Sequence, residues 1–268
     1  RHDHLDLIQS MLVDLAAAFE SGQLEPLPRR TFALGNAVEA FRYMAQARHI
    51  GKVVLSIDSF EPPAAPALRA DASYLVTGGL GALGLNVARW MVAGGAKQIV
   101  LTSRSAPTAD ASDAIRRLET DGAIVRVVRA DVSSATDVAR LFAEIAAHLP
   151  PLAGVVHAAG VVDDGMLLQQ TWPRFERVFG PKILGAWHLH QHTQASALDF
   201  FVMFSSMVSI LGGPGQGNYV AANGFLDALA HHRRESGLAG LSINWGPWQG
   251  DGMAGRVSQR DLARWAEQ

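Results

Sequence analysis

The chain has 268 residues, 49% hydrophobic and 18% charged, with a formal net charge of −2 and no cysteine. That is enough apolar material for a globular core, and it excludes disorder, collagen-like repeats, disulfides and thiolate metal centres. No stretch reaches the roughly 18 uninterrupted apolar residues of a membrane span, the opening Arg1-His2-Asp3-His4 lacks a signal-peptide pattern, and near-neutral charge disfavours a nucleic-acid partner, so a cytoplasmic protein acting on a small ligand is expected.

Apolar residues at Leu5, Ile8, Leu12, Leu15 and Phe19 recur at helical spacing, and this first helix ends near Gly22. Pro26 and Pro28 then force extended chain. Asn36-Ala37-Val38-Glu39 reads as a capping box opening a second helix with Val38, Phe41 and Met44 inward, and Lys52–Ser56 follows as a strand. These elements bury too little to stand alone, so residues 1–57 read as the tail of another domain. Residues 58–72, with Pro62, Pro63 and Pro66 among alanines, read as a linker.

From residue 73 apolar runs alternate with helical patterns. Strands are expected at Tyr74–Thr77, Ile99–Thr102, Ile124–Val128, Leu152–His157, Phe200–Phe204 and Leu241–Trp245. Helices are expected from Ala82, near Ala111–Thr120 and Ala135–Ala147, as a long run around Lys182–Gln194, and around Val220–Arg234. This alternation predicts an α/β fold: a doubly wound parallel sheet of the Rossmann kind over 73–268, preceded by a short α+β segment. The final strand such folds commonly carry is not found before Gln268, so this domain reads as C-terminally incomplete.

Directly after the first of these strands, Thr77-Gly78-Gly79-Leu80-Gly81-Ala82-Leu83-Gly84 contains G-x-G-x-x-G at Gly79, Gly81 and Gly84. A tight turn, close approach to a pyrophosphate and helix–strand packing all require glycine, so a dinucleotide site is expected. The next strand ends in Ser103-Arg104 instead of a carboxylate. A guanidinium there suits a 2′-phosphate and points to NADPH, against the alternative of a solvated surface arginine. Asp131, followed by Val132, either accepts from the adenine amine or caps the next helix.

Later come Ser205-Ser206, a glycine-rich stretch, and Asn218-Tyr219-Val220-Ala221-Ala222-Asn223. With Thr77–Gly84, His157-Ala158-Ala159-Gly160 and Asn244-Trp245-Gly246-Pro247-Trp248, residues 72–268 resemble the short-chain dehydrogenase/reductase superfamily. Within it they are most similar to the ketoreductase domains of polyketide synthases and animal-type fatty acid synthases. Reducing a ketone needs a hydride donor on one face and a proton donor at the oxygen, and the Tyr219 phenol can be that acid. Ordinary superfamily members place a charged lysine four residues after the tyrosine, where this chain has Asn223. The resemblance implies exchanged roles, with Lys182 carrying the charge and Asn223 holding the hydrogen-bond network. Lysine is scarce, at Lys52, Lys97 and Lys182 alone, and every other basic residue is arginine, which titrates too high to share a proton. Ser206 can donate a second bond to the substrate oxygen, while Ser205 would point to the other side of the strand. The resemblance also places His157, Ala158, Ala159, Gly160, Pro247 and Trp248 against the cofactor.

The resemblance carries stereochemical markers. Val162-Asp163-Asp164 stands where the family has an LDD-type motif, with Asp164 the diagnostic acid, alongside Pro214 and Asn218. Leu211 stands where the opposing subgroup has tryptophan. These imply the B-type and a D-configured 3-hydroxyl; the acidic pair alone could equally be a turn. Residues 24–28, 38–44 and 49–55 resemble the end of medium-chain reductase domains such as the enoyl reductases of these synthases, whose nucleotide-binding part is missing here. The implied partners are an acyl carrier protein bearing a phosphopantetheine-tethered β-ketoacyl chain, a neighbouring enoyl reductase and an upstream ketoreductase structural subdomain. Two other readings stay open: a non-catalytic nucleotide-fold module, and a free-standing alcohol dehydrogenase. His188 and His192 share a helix face without an acidic third ligand nearby, so no metal is expected.

Overall fold

The computed structural model describes residues 5–47, 49–57 and 68–246. The chain divides into two compact units, Arg1–Ala65 and Pro66–Gln268.

The first unit contains α1 (Leu5–Glu20), β1 (Arg29–Ala33), a 3-10 turn (Leu34–Asn36), α2 (Ala37–Ala45) and β2 (Lys52–Ser56). The two strands pair in parallel from Arg29↔Lys52 to Ala33↔Ser56. The α1 stripe of Ile8, Leu12, Leu15 and Phe19 is exposed. Two expectations about α2 fail. Asn36 closes the 3-10 turn at φ −101, ψ 20, outside the extended geometry a capping side chain needs, and it makes no cap bond. Val38, Phe41 and Met44 are exposed, and Ala40 is the buried residue, because the smallest side chain lets α2 approach the strand pair closely. Beside it the Tyr43 ring lies 5.9 Å from Phe32 and carries the Arg30 guanidinium 4.4 Å from its centroid.

The second unit runs β3 (Ser73–Thr77), α3 (Ala82–Ala93), β4 (Gln98–Ser103), α4 (Ala109–Thr120), β5 (Ile124–Arg129), α5 (Ala135–His148) and β6 (Leu152–His157). Then follow α6 (Trp172–Phe179), α7 (Gly185–Thr193), β7 (Phe200–Ser206), α8 (Val208–Leu211), α9 (Gly217–Glu235) and β8 (Leu241–Trp245). The six strands pair in parallel in the order β5-β4-β3-β6-β7-β8. Alternate side chains feed opposite cores. Tyr74, Val76, Ile99 and Leu101 pack with Met91 and Leu118 on one face, whereas Leu75, Val100, Val155 and Phe201 pack with Leu141, Leu189 and Leu226 on the other. Both faces being covered is why these strands read as unbroken apolar runs. Thr108 and Ser134 cap α4 and α5 by accepting from the backbone N–H of Ala111 and Asp137.

The long helix expected around Lys182–Gln194 is interrupted. Between α6 and α7 the chain forms a π turn at Gly180–Leu184. Pro181 cannot donate an amide hydrogen and its ring would collide with the carbonyl one turn back, so the helix widens there. Elsewhere in this unit, α9 is tied down by Arg233, which is 1% exposed. It donates from Nε to the Ala239 carbonyl (2.6 Å) and from Nη1 to Thr193 Oγ1 (3.1 Å), meets His190 Nδ1 at 3.0 Å, and lies 3.8 Å over the Phe201 ring.

Candidate active site

The strand order reverses between β3 and β6, and a cleft of about 270 Å³ opens at the carboxyl ends of the strands there. Gly78, Gly81, Ser103, Arg104, Asp131, Val132, Ala158, Ala159 and Gly160 line it, all named from the sequence. Ala82 and Leu83 of the glycine motif line it too, as do Thr102, Ala130, Val161 and Pro181, to which the sequence gave no part in the site.

Thr77, Gly79, Leu80, Gly84 and His157 shape the cleft from behind instead of lining it. Gly78 turns the chain at φ +64, the left-handed region glycine enters freely. A Cβ on Gly84 would run into the Gly78 carbonyl oxygen and the Gly79 Cα, so α3 can start this close to the turn only with glycine there. His157 is 1% exposed and its Nδ1 lies 2.7 Å from Thr77 Oγ1. Burial, reinforced by the charge of Lys182, pushes its pKa down to about 3, so it is a neutral structural ring. Of the two readings of Asp131 the structure excludes the cap: Ser134 caps α5, while Asp131 Oδ1 accepts from the Ser133 backbone (2.9 Å) and hydroxyl (2.6 Å). These groups suit a dinucleotide: a glycine turn feeding a helix N-terminus, with the Arg104 guanidinium directly after β4, where the chain carries no carboxylate. Pro247 and Trp248 lie outside the described residues.

Beside this cleft, the structure brings Lys182, Asn223 and Tyr219 together. The Lys182 ammonium is 3% exposed and donates to Asn223 Oδ1 (2.7 Å) and the Phe204 carbonyl (3.0 Å), with Nζ 5.1 Å from the Tyr219 ring centroid. A Cβ on Gly160 would come within 3.0 Å of Lys182 Cε, so the glycine makes room for the lysine stem. Asn223 in turn donates to the Tyr219 carbonyl one helical turn earlier (2.8 Å). Both acceptors of the ammonium are neutral, and burial pushes Lys182 down to about 7, opposed by the negative charge of Asp227. The Tyr219 phenol is pushed up by burial, with hydrogen bonding from Asn223 opposing and the charge of Asp164 adding. The phenol therefore keeps its proton until an acceptor arrives.

Strand alternation separates the two serines. Ser205 is buried and donates to the Asn223 carbonyl (3.2 Å), whereas Ser206 is only partly buried at the strand end. Sequence reasoning gave no role to Asn244, whose amide donates to the Ser206 carbonyl, Ser205 Oγ and Ser209 Oγ.

The residues expected to control stereochemistry lace two loops together. Gln216 Nε2 donates to Asp164 Oδ2 (2.9 Å) and the Gly165 N–H to the Gly215 carbonyl (2.8 Å). Asp163 pairs with Arg174 (3.0 Å) and Arg177 (2.7 Å). Asn218 is fully buried, donating to the Asp163 carbonyl and accepting from the Tyr219 N–H, so it holds the loop and is closed off from a substrate. Leu211 and Pro214 are exposed. His188 bonds the Val132 carbonyl and His192 stacks on Phe142, so neither imidazole is set for a shared ligand.

Residues 72–250 match a family model described as KR domain, and residues 2–55 one described as zinc-binding dehydrogenase. A chain without cysteine offers zinc no thiolate. The chain is 45% identical over 261 residues to the spectinabilin polyketide synthase system protein NorB of Streptomyces orinoci, covering 96% of this chain and 12% of that protein. It is 44% identical over 260 residues to the putative inactive phenolphthiocerol synthesis polyketide synthase type I Pks1 of Mycobacterium tuberculosis, covering 96% and 16%. It therefore spans well under a fifth of these relatives. Among solved structures, an A1-type ketoreductase superposes with a TM-score of 0.67 at 38% identity, over 75% of this chain and 44% of that one. A ketoreductase domain from the bacillaene assembly line gives 0.68 at 30%, over 87% and 58%. With the glycine turn and the lysine–asparagine–tyrosine cluster on one parallel sheet, these matches establish that the chain belongs to the ketoreductase domain family of polyketide synthases.

Proposed function

We propose that the chain reduces the β-ketone of an acyl-carrier-protein-bound β-ketoacyl thioester, with NADPH, to a D-3-hydroxyacyl thioester. The observation that carries this is the buried Lys182 ammonium, held by Asn223 within 5.1 Å of the Tyr219 ring at the edge of the dinucleotide cleft. When bound, the nicotinamide cofactor supplies the hydride; Gly78, Gly81 and the α3 N-terminus would hold its pyrophosphate and Arg104 its 2′-phosphate. Tyr219 donates its phenolic proton to the ketone oxygen as negative charge develops there, and Ser206 donates a second hydrogen bond. The phenolate left behind is stabilised by the Lys182 ammonium, whose two occupied N–H bonds fix its place.

The choice of face rests on Asp164, Leu211, Pro214 and Asn218. The A1-type label above belongs to that neighbour; the acid at Asp164 and the absence of tryptophan at Leu211 support the B-type here. Residues 1–57 are read as the end of an enoyl-reductase-like domain, joined through 58–72 to the ketoreductase; neighbouring synthase domains and the carrier protein are its partners.

Chiral analysis of the product from a β-ketoacyl thioester and NADPH tests activity and face together: the D-3-hydroxy product is expected, and the L-product overturns the stereochemical reading. Tyr219→Phe should lower kcat by at least about a thousandfold while NADPH still binds. Retained turnover removes Tyr219 as the acid.

A further inference from the structure

Behind the cluster lies a carboxylate to which the reaction above gives no part. Asp227 sits one turn beyond Asn223 on α9. Its Oδ2 accepts from Ser209 Oγ (2.6 Å) and Asn244 Nδ2 (3.0 Å), and its Oδ1 from Ser242 Oγ (2.5 Å). Asn244 is the branch point, because the same amide reaches the Ser206 carbonyl and Ser205 Oγ, both at 3.3 Å. One acid on α9 thus gathers α8, β8 and the end of β7, the strand whose Phe204 carbonyl also holds Lys182.

We propose that Asp227 is a positioning residue for the ketone reduction: through Asn244 it sets the strand end that presents Ser206, and from one helical turn beyond Asn223, the side chain that holds Lys182, its negative charge favours the ammonium. This rests on the function proposed above. The side chains bonded to the Asp227 carboxylate, from α8 and β8, are neutral. Around Lys182 stand Tyr219 on α9 and His157 on β6, both uncharged at neutral pH, and Asp227 is the acid whose field reaches it. Burial pushes the Asp227 carboxyl up, but the bonds from Ser209, Ser242, Asn244 and Ser205 outweigh it, so Asp227 stays ionised across the working range. A fixed negative charge there favours the ammonium form of Lys182, and its removal must move the lysine titration to lower pH.

The chain's three lysines make Lys182 accessible to NMR with 13C-labelled lysine. In D227N the Lys182 midpoint should fall by about half a pH unit or more, with the alkaline limb of kcat moving the same way, and D227E should restore both. A midpoint unchanged in folded D227N overturns the charge role; a merely structural tie would lower Tm without moving it. The variant N244A keeps the charge and cuts the relay. It should leave the Lys182 midpoint in place, leave NADPH binding by fluorescence titration unchanged, and lower kcat about tenfold. A kcat within about twofold of the parent overturns the relay, and this arm decides it even if D227N does not fold. If the chain reduces no β-ketothioester at all, the functional reading fails, whereas the NMR titration still reports on Asp227 alone.

Discussion

Arg104 directly follows β4 at the rim of the cleft, with its side chain exposed and its carbonyl accepting from Arg129 Nε at 2.8 Å. The rim is set, but the guanidinium itself is free to meet a phosphate. Arg104→Ala should therefore raise KM for NADPH about tenfold or more while leaving KM for NADH nearly unchanged; equal effects on both would remove the phosphate assignment. At this scale Tyr219 was legible as a proton donor, whereas Lys182 and Asn223 were named through the family resemblance, with the scarcity of lysine in an arginine-rich chain drawing notice to Lys182. Burial was not legible. Nothing in the string shows that His157 and Asn218 are fully buried, or that Asp227 and Asn244, from different elements, share a hydrogen bond.

The turn from β3 into α3 shows what an element can demand of its sequence. Gly84→Ala would press a methyl group into the backbone of Gly78 and Gly79, which can retreat only by opening the phosphate turn. The expected outcome is a loss of about 1–3 kcal/mol in stability together with weaker NADPH binding, measured by denaturant unfolding and fluorescence titration. An unchanged affinity would show that the turn does not contact the cofactor. Strands and helices of the second unit were readable because a sheet covered on both faces needs continuous apolar runs alternating with amphipathic helices. The π turn was not read, although Gly180-Pro181 marks it, because helical periodicity on either side masks a single widened turn. The buried face of α2 was misread because Ala40 carries little hydrophobic signal, and contact distance, not side-chain size, decides which face is covered.

Across the second unit, Arg233 joins α9, α7, β7 and the segment before β8 from a nearly closed site. Burial pushes its pKa down to about 10, which still leaves it charged at neutral pH. Arg233→Lys removes the planar fork that serves three acceptors and the Phe201 ring, and should lower Tm by about 5 °C or more without changing KM. Lys182 links stability to pH in the opposite sense from its chemistry. Its folded pKa of about 7 lies below the ordinary value of 10.5, so between those limits the unfolded chain binds the extra proton and stability rises with pH. The ammonium needed for reduction is most abundant below that window. Comparing Tm at pH 7 and 9, the parent should gain relative to Lys182→Met; a constant difference would show that the lysine is not depressed.

The strand order also dictates a timetable. Central β3 gains its first neighbour, β4, almost at once, but its other edge pairs with β6, and Thr77 meets His157 across 80 residues of intervening chain. At the roughly 5–20 residues per second of protein synthesis, that edge stays open for about 4–16 s. For those seconds a strand destined for complete burial presents unpaired amides and apolar side chains to its surroundings, which makes early β3 the point where nascent chains would most readily associate with one another.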